Sequence, residues 1–129
     1  GGSNPWEREA APITAILVGK SGAGKSTLGN KLLNARLAPE EAKSYFREGG
    51  GSAGVTGRVD LRVSTDGRMK VIDTPGIPDP DSSKTIANFD TVVQTMRDEP
   101  AVNLLIFVVS TDRTDEEQFD DYRTLLKHF

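Results

Sequence analysis

Two short stretches of this 129-residue chain carry residue types that handle phosphate. Gly19-Lys20-Ser21-Gly22-Ala23-Gly24-Lys25-Ser26 satisfies the pattern G-x-x-x-x-G-K-[ST]. Its glycines let the backbone come close to an anion, so that amide N–H groups of a turn and of a following helix N-terminus converge on phosphate oxygens. Lys25 then supplies a mobile positive charge for the β and γ phosphates, and the Ser26 hydroxyl is placed to ligate Mg²⁺. Gly19, Ser21, Gly22, Ala23, Gly24, Lys25, Ser26 and Thr27 form the expected phosphate-binding set. The second stretch is Val71-Ile72-Asp73-Thr74-Pro75-Gly76, which puts a carboxylate at the end of an apolar run. There Asp73 can hold Mg²⁺ through a water, and Gly76 has no side chain to keep its N–H from a γ-phosphate. Thr56, in a glycine-rich loop between the two, is the candidate for a third contact to Mg²⁺ and γ-phosphate; the alternative is a solvated loop threonine.

The elements that must position these residues follow from periodicity. Ile13 to Val18 is short, mostly β-branched or apolar, and ends at Gly19, as a strand covered on both faces does. Leu28, Leu32 and Leu33 fall at helical spacing, and Asn34 and Pro39 mark where that helix fades. Residues 37–57 have no period and hold Gly49, Gly50, Gly51, Gly54 and Gly57, which predicts a mobile loop. Val59, Leu61 and Val63 alternate with charged residues, Asp66-Gly67 supplies a turn, and Met69 to Ile72 is apolar, which predicts an antiparallel hairpin. Ile86, Phe89, Val93 and Met96 predict a helix from about Lys84 to Asp98, and Ala101 to Ser110 reads as a buried strand. Thr114 with Glu117 makes a capping-box pattern, and Phe119, Tyr122, Leu126 and Phe129 give the last helix an apolar face. Four strands alternating with three helices imply an α/β architecture with a mainly parallel sheet and one antiparallel hairpin. Residues 1–11 read as an N-terminal extension or cloning remnant, with Trp6 packing on the body; residues 12–129 form the single domain.

Composition narrows the chemistry. Sixteen Lys and Arg against nineteen Asp and Glu give a net charge of −3, which offers no overall pull toward nucleic acid or anionic lipid. The absence of cysteine excludes disulfides, thiolate zinc sites and a cysteine nucleophile, and fits a reducing, cytoplasmic compartment. A single histidine, His128, excludes multi-histidine metal centres and leaves a serine-type triad without a usable base. The longest apolar run, Leu104 to Val109, falls far short of the ~20 residues of a membrane-spanning helix. Asp79 and Asp81 read as solvated acids rather than a second metal site, and Asp115, Glu116 and Glu117 suit a helix's first turn without any ligand.

The residues from Ile16 to Leu33, then Gly54-Val55-Thr56, Val71 to Gly76, Leu105 to Val109 and Asp112 to Glu117, together resemble the immunity-associated nucleotide-binding GTPase family (GIMAP or IAN type) over about residues 13–126. The resemblance implies a three-layer P-loop NTPase G domain that binds GTP and GDP with Mg²⁺. It maps the family's switch threonine onto Thr56, its second switch onto Asp73 to Gly76 and an extra box onto Asp112 to Glu117. It also implies GTP-favoured dimers or oligomers, often on the cytosolic face of intracellular membranes. The family reads guanine through an Asp-bearing motif after the next strand, which falls beyond Phe129, so base selectivity is not expected within these residues. The last strands of a G domain and any membrane-directed segment fall there too, so the Ala101 to Ser110 strand is expected at an open edge.

After Gly76 comes Ile77, where many efficient GTPases place a glutamine that orients the attacking water, so intrinsic hydrolysis should be slow. Arg113, in the family-like box, is the nominee for a catalytic group acting in trans, with a solvated loop arginine as the alternative. Three functions remain in play: a GTP-binding switch whose ordered loops recruit a second G domain, a nucleotide-dependent assembly scaffold with negligible catalysis, and an ATP-using P-loop enzyme. Asp-Thr-Pro-Gly argues against the last.

Overall fold

The computed structural model describes residues 12–20, 24–47, 59–77, 82–109 and 116–129. The elements in chain order are β1 (Ile13–Gly19), α1 (Lys25–Asn34), β2 (Asp60–Val63), β3 (Met69–Asp73), α2 (Ser82–Asp98), β4 (Leu104–Val108) and α3 (Glu116–Leu126), with one 3-10 turn at Pro39–Glu41. The four strands form one sheet in the order β2-β3-β1-β4. β1 pairs in parallel with both β3 and β4, and β2 with β3 is the antiparallel hairpin, whose turn carries Gly67 at φ +73°. The sheet is therefore mainly parallel with one hairpin, as the alternation of elements requires.

Successive residues of a strand point to opposite faces, and from Ala15 to Val18 both sets in β1 are fully buried. Ile16 and Val18 join Ile72, Ile77, Val92, Met96, Tyr122 and Leu125 in a core under α2 and α3. Leu17 joins Leu33, Phe46 and Val71 in a second core under α1. Helices on both faces of a sheet make three layers. β4 is an edge with Leu104 exposed, matching the open edge expected of that strand.

Several boundaries and faces differ from expectation. β4 begins at Leu104 rather than Ala101, because the Asn103 side chain takes the Thr14 N–H at 2.8 Å while its own N–H bonds Thr14 O at 2.9 Å, closing the ladder before the strand starts. Helix α2 buries Asn88, Val92, Val93 and Met96, leaving Ile86 at 71% exposure off that face. Helix α3 buries Tyr122 and Leu125 rather than Leu126 and Phe129, with Tyr122 stacked on Phe107 at 4.3 Å between ring centroids. The described part of the predicted mobile loop, residues 37–47, is pinned. Asn30 Oδ1 accepts from the N–H groups of Tyr45 and Phe46 at 2.9 and 2.8 Å, and its Nδ2 donates to Phe46 O at 2.9 Å. Asn34 repeats the pattern one turn on, with both its amide atoms bonded to the Lys43 backbone. Two side-chain amides thus act as ladder partners for a segment that lacks a strand, and Phe46 closes the core against Gly29 and Leu17.

Candidate phosphate and metal site

The C-terminal ends of β1 and β3 and the N-terminus of α1 meet at one end of the sheet, where parallel α/β folds hold their ligands. Gly19 closes β1 against β4: a Cβ there would sit 2.4 Å from Val108 O, so no larger residue fits without parting the strands. Gly24 caps α1 with φ 100° and open space around it, a left-handed conformation that glycine adopts at no steric cost. No acidic residue occupies the first turn of α1, leaving its N-terminal N–H groups and positive dipole end uncompensated by side chains.

Lys25 is not the free-swinging cation that the motif implied. It is 8% exposed, and its Nζ donates to Gly19 O at 2.8 Å and Lys20 O at 3.5 Å. Burial pushes its pKa down, and the Asp73 carboxylate opposes that shift. The ammonium is thus stationed on the carbonyl rim of its own loop. Gly19 O also accepts from Ile77 N–H at 3.0 Å, so releasing Lys25 does not orphan that carbonyl.

Asp73 ends β3 with its Oδ1 buried and without a hydrogen-bond partner. Burial raises its pKa to about 6, against the attraction of Lys25 and the Thr74 backbone N–H, with Asp60 adding a further upward push. The turn behind it is fixed from both sides. Thr74 Oγ1 donates to Leu17 O at 2.7 Å, and Asn88 Nδ2 donates to Gly76 O at 2.9 Å, so Gly76 is buried and held against α2. Ile77 is fully buried in the α2-side core, where its side chain cannot serve a reacting water.

A divalent cation fits this carboxylate. A buried carboxylate oxygen at the end of a strand, without a hydrogen-bond partner, is a donor that a divalent cation would satisfy beyond what the nearby Lys25 charge supplies. Among the described residues no three acidic or histidine side chains converge into a metal cage; Asp73 and the half-buried Ser26 are the residues that could hold such an ion. Thr27 is exposed and lines an open cleft of about 490 Å³ together with Asn30, Lys31, Asn34, Lys43 and Ser44.

Of the residues nominated from sequence, Gly19, Gly24, Lys25, Ser26, Asp73 and Gly76 come together at this end of the fold, while the Thr27 side chain faces the cleft beside α1. Ser21, Gly22, Ala23, Thr56 and Arg113 lie outside the described residues, as do Trp6, Asp79, Asp81 and Asp112 to Asp115. Sequence reasoning missed Asn88, Asn30 and Asp60. Asn88 is a polar residue on the apolar face of α2. Asn30 and Asn34 are four apart, a spacing that puts both amides on one side of a helix. Asp60 faces Asp73 across the hairpin. No described helix is long and apolar enough to cross a membrane.

A family model described as the AIG1 family matches residues 13–129. The chain is also 32% identical over 110 residues to immune-associated nucleotide-binding protein 12 of Arabidopsis thaliana. That alignment takes in 81% of this chain and 26% of the relative, so the chain spans about a quarter of the curated relative it matches. With the phosphate-loop glycines closing β1 and capping α1, the Asp-Thr-Pro-Gly turn beside them, and a family match running from β1 to the final residue, the chain belongs to the AIG1 family of P-loop GTPase domains.

Proposed function

We propose that this domain binds the phosphates of a guanine nucleotide, GTP or GDP, together with Mg²⁺. The observation that carries the reading is a buried lysine on the phosphate-loop rim beside an aspartate at the end of β3 whose Oδ1 is buried without a hydrogen-bond partner. Lys25 moves its ammonium from the Gly19 carbonyl to the β and γ phosphates, and the backbone after Gly24 donates N–H groups to the same oxygens. Ser26 and Asp73 would hold the ion, with Thr56 as the nominated third donor. When bound, the ion would supply neutralisation of phosphate charge during transfer of the terminal group. Gly76 offers its N–H to the γ-phosphate, with Asn88 keeping the turn in place.

Hydrolysis by the domain alone is slow, because Ile77 is committed to the core and offers no polar group to a water. Turnover then draws on a second copy, with Arg113 reaching across a nucleotide-dependent dimer or oligomer. An Arg113→Ala variant that hydrolyses GTP as fast as the parent at high protein concentration removes that role. The same parts serve an assembly scaffold with negligible catalysis, and turnover measured beside dimerisation separates the two. The cysteine-free composition supports a cytoplasmic setting.

Calorimetric titration of GTP, GDP and ATP with Mg²⁺, into this chain and into a longer chain with the relative's extent, tests the proposal. Preference for guanine nucleotides in the longer chain supports it. Equal affinity for all three there overturns it.

A further inference from the structure

Asp60 and Asp73 are direct partners across the antiparallel β2–β3 pair. Partners in such a pair put their side chains on one face of the sheet. Here it is the α1 face, because Val71, two residues before Asp73, packs in the core under α1. Like charges directly opposite each other destabilise a sheet. Burial does not require an acid at position 60, which begins an edge strand with its side chain 46% exposed. Arg62, on the same strand and face, holds the Asp60 carboxylate at 3.2 Å, while its Nε donates to Tyr45 O at 3.2 Å. Both members of that ion pair are close to half exposed, so water weakens it and the charge of Asp60 is only partly cancelled. A cation beside Asp73 turns the remaining repulsion into attraction, and Asp73 Oδ1 has no other partner.

The geometry points to Asp60 as a positioning residue that raises the affinity of the phosphate site for its divalent ion, with Arg62 moderating it. The inference rests on Asp73 being the metal-side carboxylate. Asp60 acts from the neighbouring strand by adding negative charge behind Asp73. Arg62 sets how much of that charge is felt, and its bond to Tyr45 O ties the setting to the segment that α1 holds through Asn30.

Mn²⁺ titrated into the chain with saturating GDP, and into GDP alone as the blank, reports the bound ion by its electron paramagnetic resonance spectrum. The parent is compared with Asp73→Asn, Asp60→Asn and Arg62→Gln. Asp73→Asn is expected to lose Mn²⁺ retention above the blank; if it retains the ion as the parent does, the metal reading of Asp73 fails and this inference fails with it. Given that loss, Asp60→Asn weakens Mn²⁺ binding by about tenfold, the low end for groups acting behind a metal ligand. Arg62→Gln shifts affinity the opposite way, by about threefold, since it removes a positive charge from the same face. The unfolding midpoint of Asp60→Asn should be no lower than that of the parent, which separates weakened binding from a damaged fold. Parental Mn²⁺ affinity in both Asp60→Asn and Arg62→Gln, with Asp73→Asn defective, overturns the inference.

Discussion

Replacing Asp73 by Asn should stabilise the protein in the absence of metal and nucleotide while removing its ability to use either. Burial lifts the Asp73 pKa from 3.8 to about 6. The folded state therefore binds more protons than the unfolded chain between those values. The contribution of Asp73 to stability is fully present below about pH 4 and is lost as pH rises through about 6. A shift of about two units corresponds to about 3 kcal/mol at pH 7.5. Asn keeps the shape and carries no charge, so that cost disappears, raising the melting temperature by roughly 10 °C for a domain of this size. Urea denaturation of parent and variant at pH 4 and pH 7.5, without Mg²⁺ or nucleotide, measures it. The two proteins should be equally stable at pH 4, with the variant ahead at pH 7.5. A variant no more stable than the parent at pH 7.5, or a gap that persists at pH 4, refutes the reasoning.

Gly19→Ala puts a Cβ 2.4 Å from Val108 O, a backbone atom that cannot yield without separating β1 from β4, and should cost about 3 kcal/mol in thermal denaturation. A loss below about 0.5 kcal/mol would mean that the two strands part freely there. Asn30→Ala removes three hydrogen bonds to the backbone of Tyr45 and Phe46 and should cost about 2 to 3 kcal/mol in urea denaturation. It should also open residues 43–47 to limited proteolysis while β1 and β3 stay protected; an unchanged cleavage pattern would contradict the pinned segment.

Most of the fold was legible because periodicity and turn chemistry agree along the chain. The alternation from Val59 to Val63, the Asp66-Gly67 turn and the apolar run from Met69 gave the hairpin, and the doubly apolar Ile13 to Val18 gave the central strand. The phosphate loop was legible because its chemistry fixes residue types at fixed spacing. What could not be read was set by partners distant in sequence. Phe46 lies in a stretch without a period, and its burial depends on Asn30 offering amide groups to backbone that no strand pairs. Helix α2 faces the sheet through Asn88 rather than Ile86, because Gly76 O needs a donor there and an apolar stripe does not show that need. The stationing of Lys25 on Gly19 O and the facing carboxylates of Asp60 and Asp73 are likewise products of register, which single-strand patterns do not contain.

The central claim is that the buried ammonium on the loop rim is held ready for a polyphosphate. Calorimetric titration of Mg·GTP into the parent and into Lys25→Met tests it most directly, because the Gly19 carbonyl keeps the Ile77 N–H as a partner when the ammonium is removed. Loss of one charged hydrogen bond predicts roughly ten- to a hundredfold weaker binding in the variant. Parental affinity in a folded Lys25→Met protein would contradict the account.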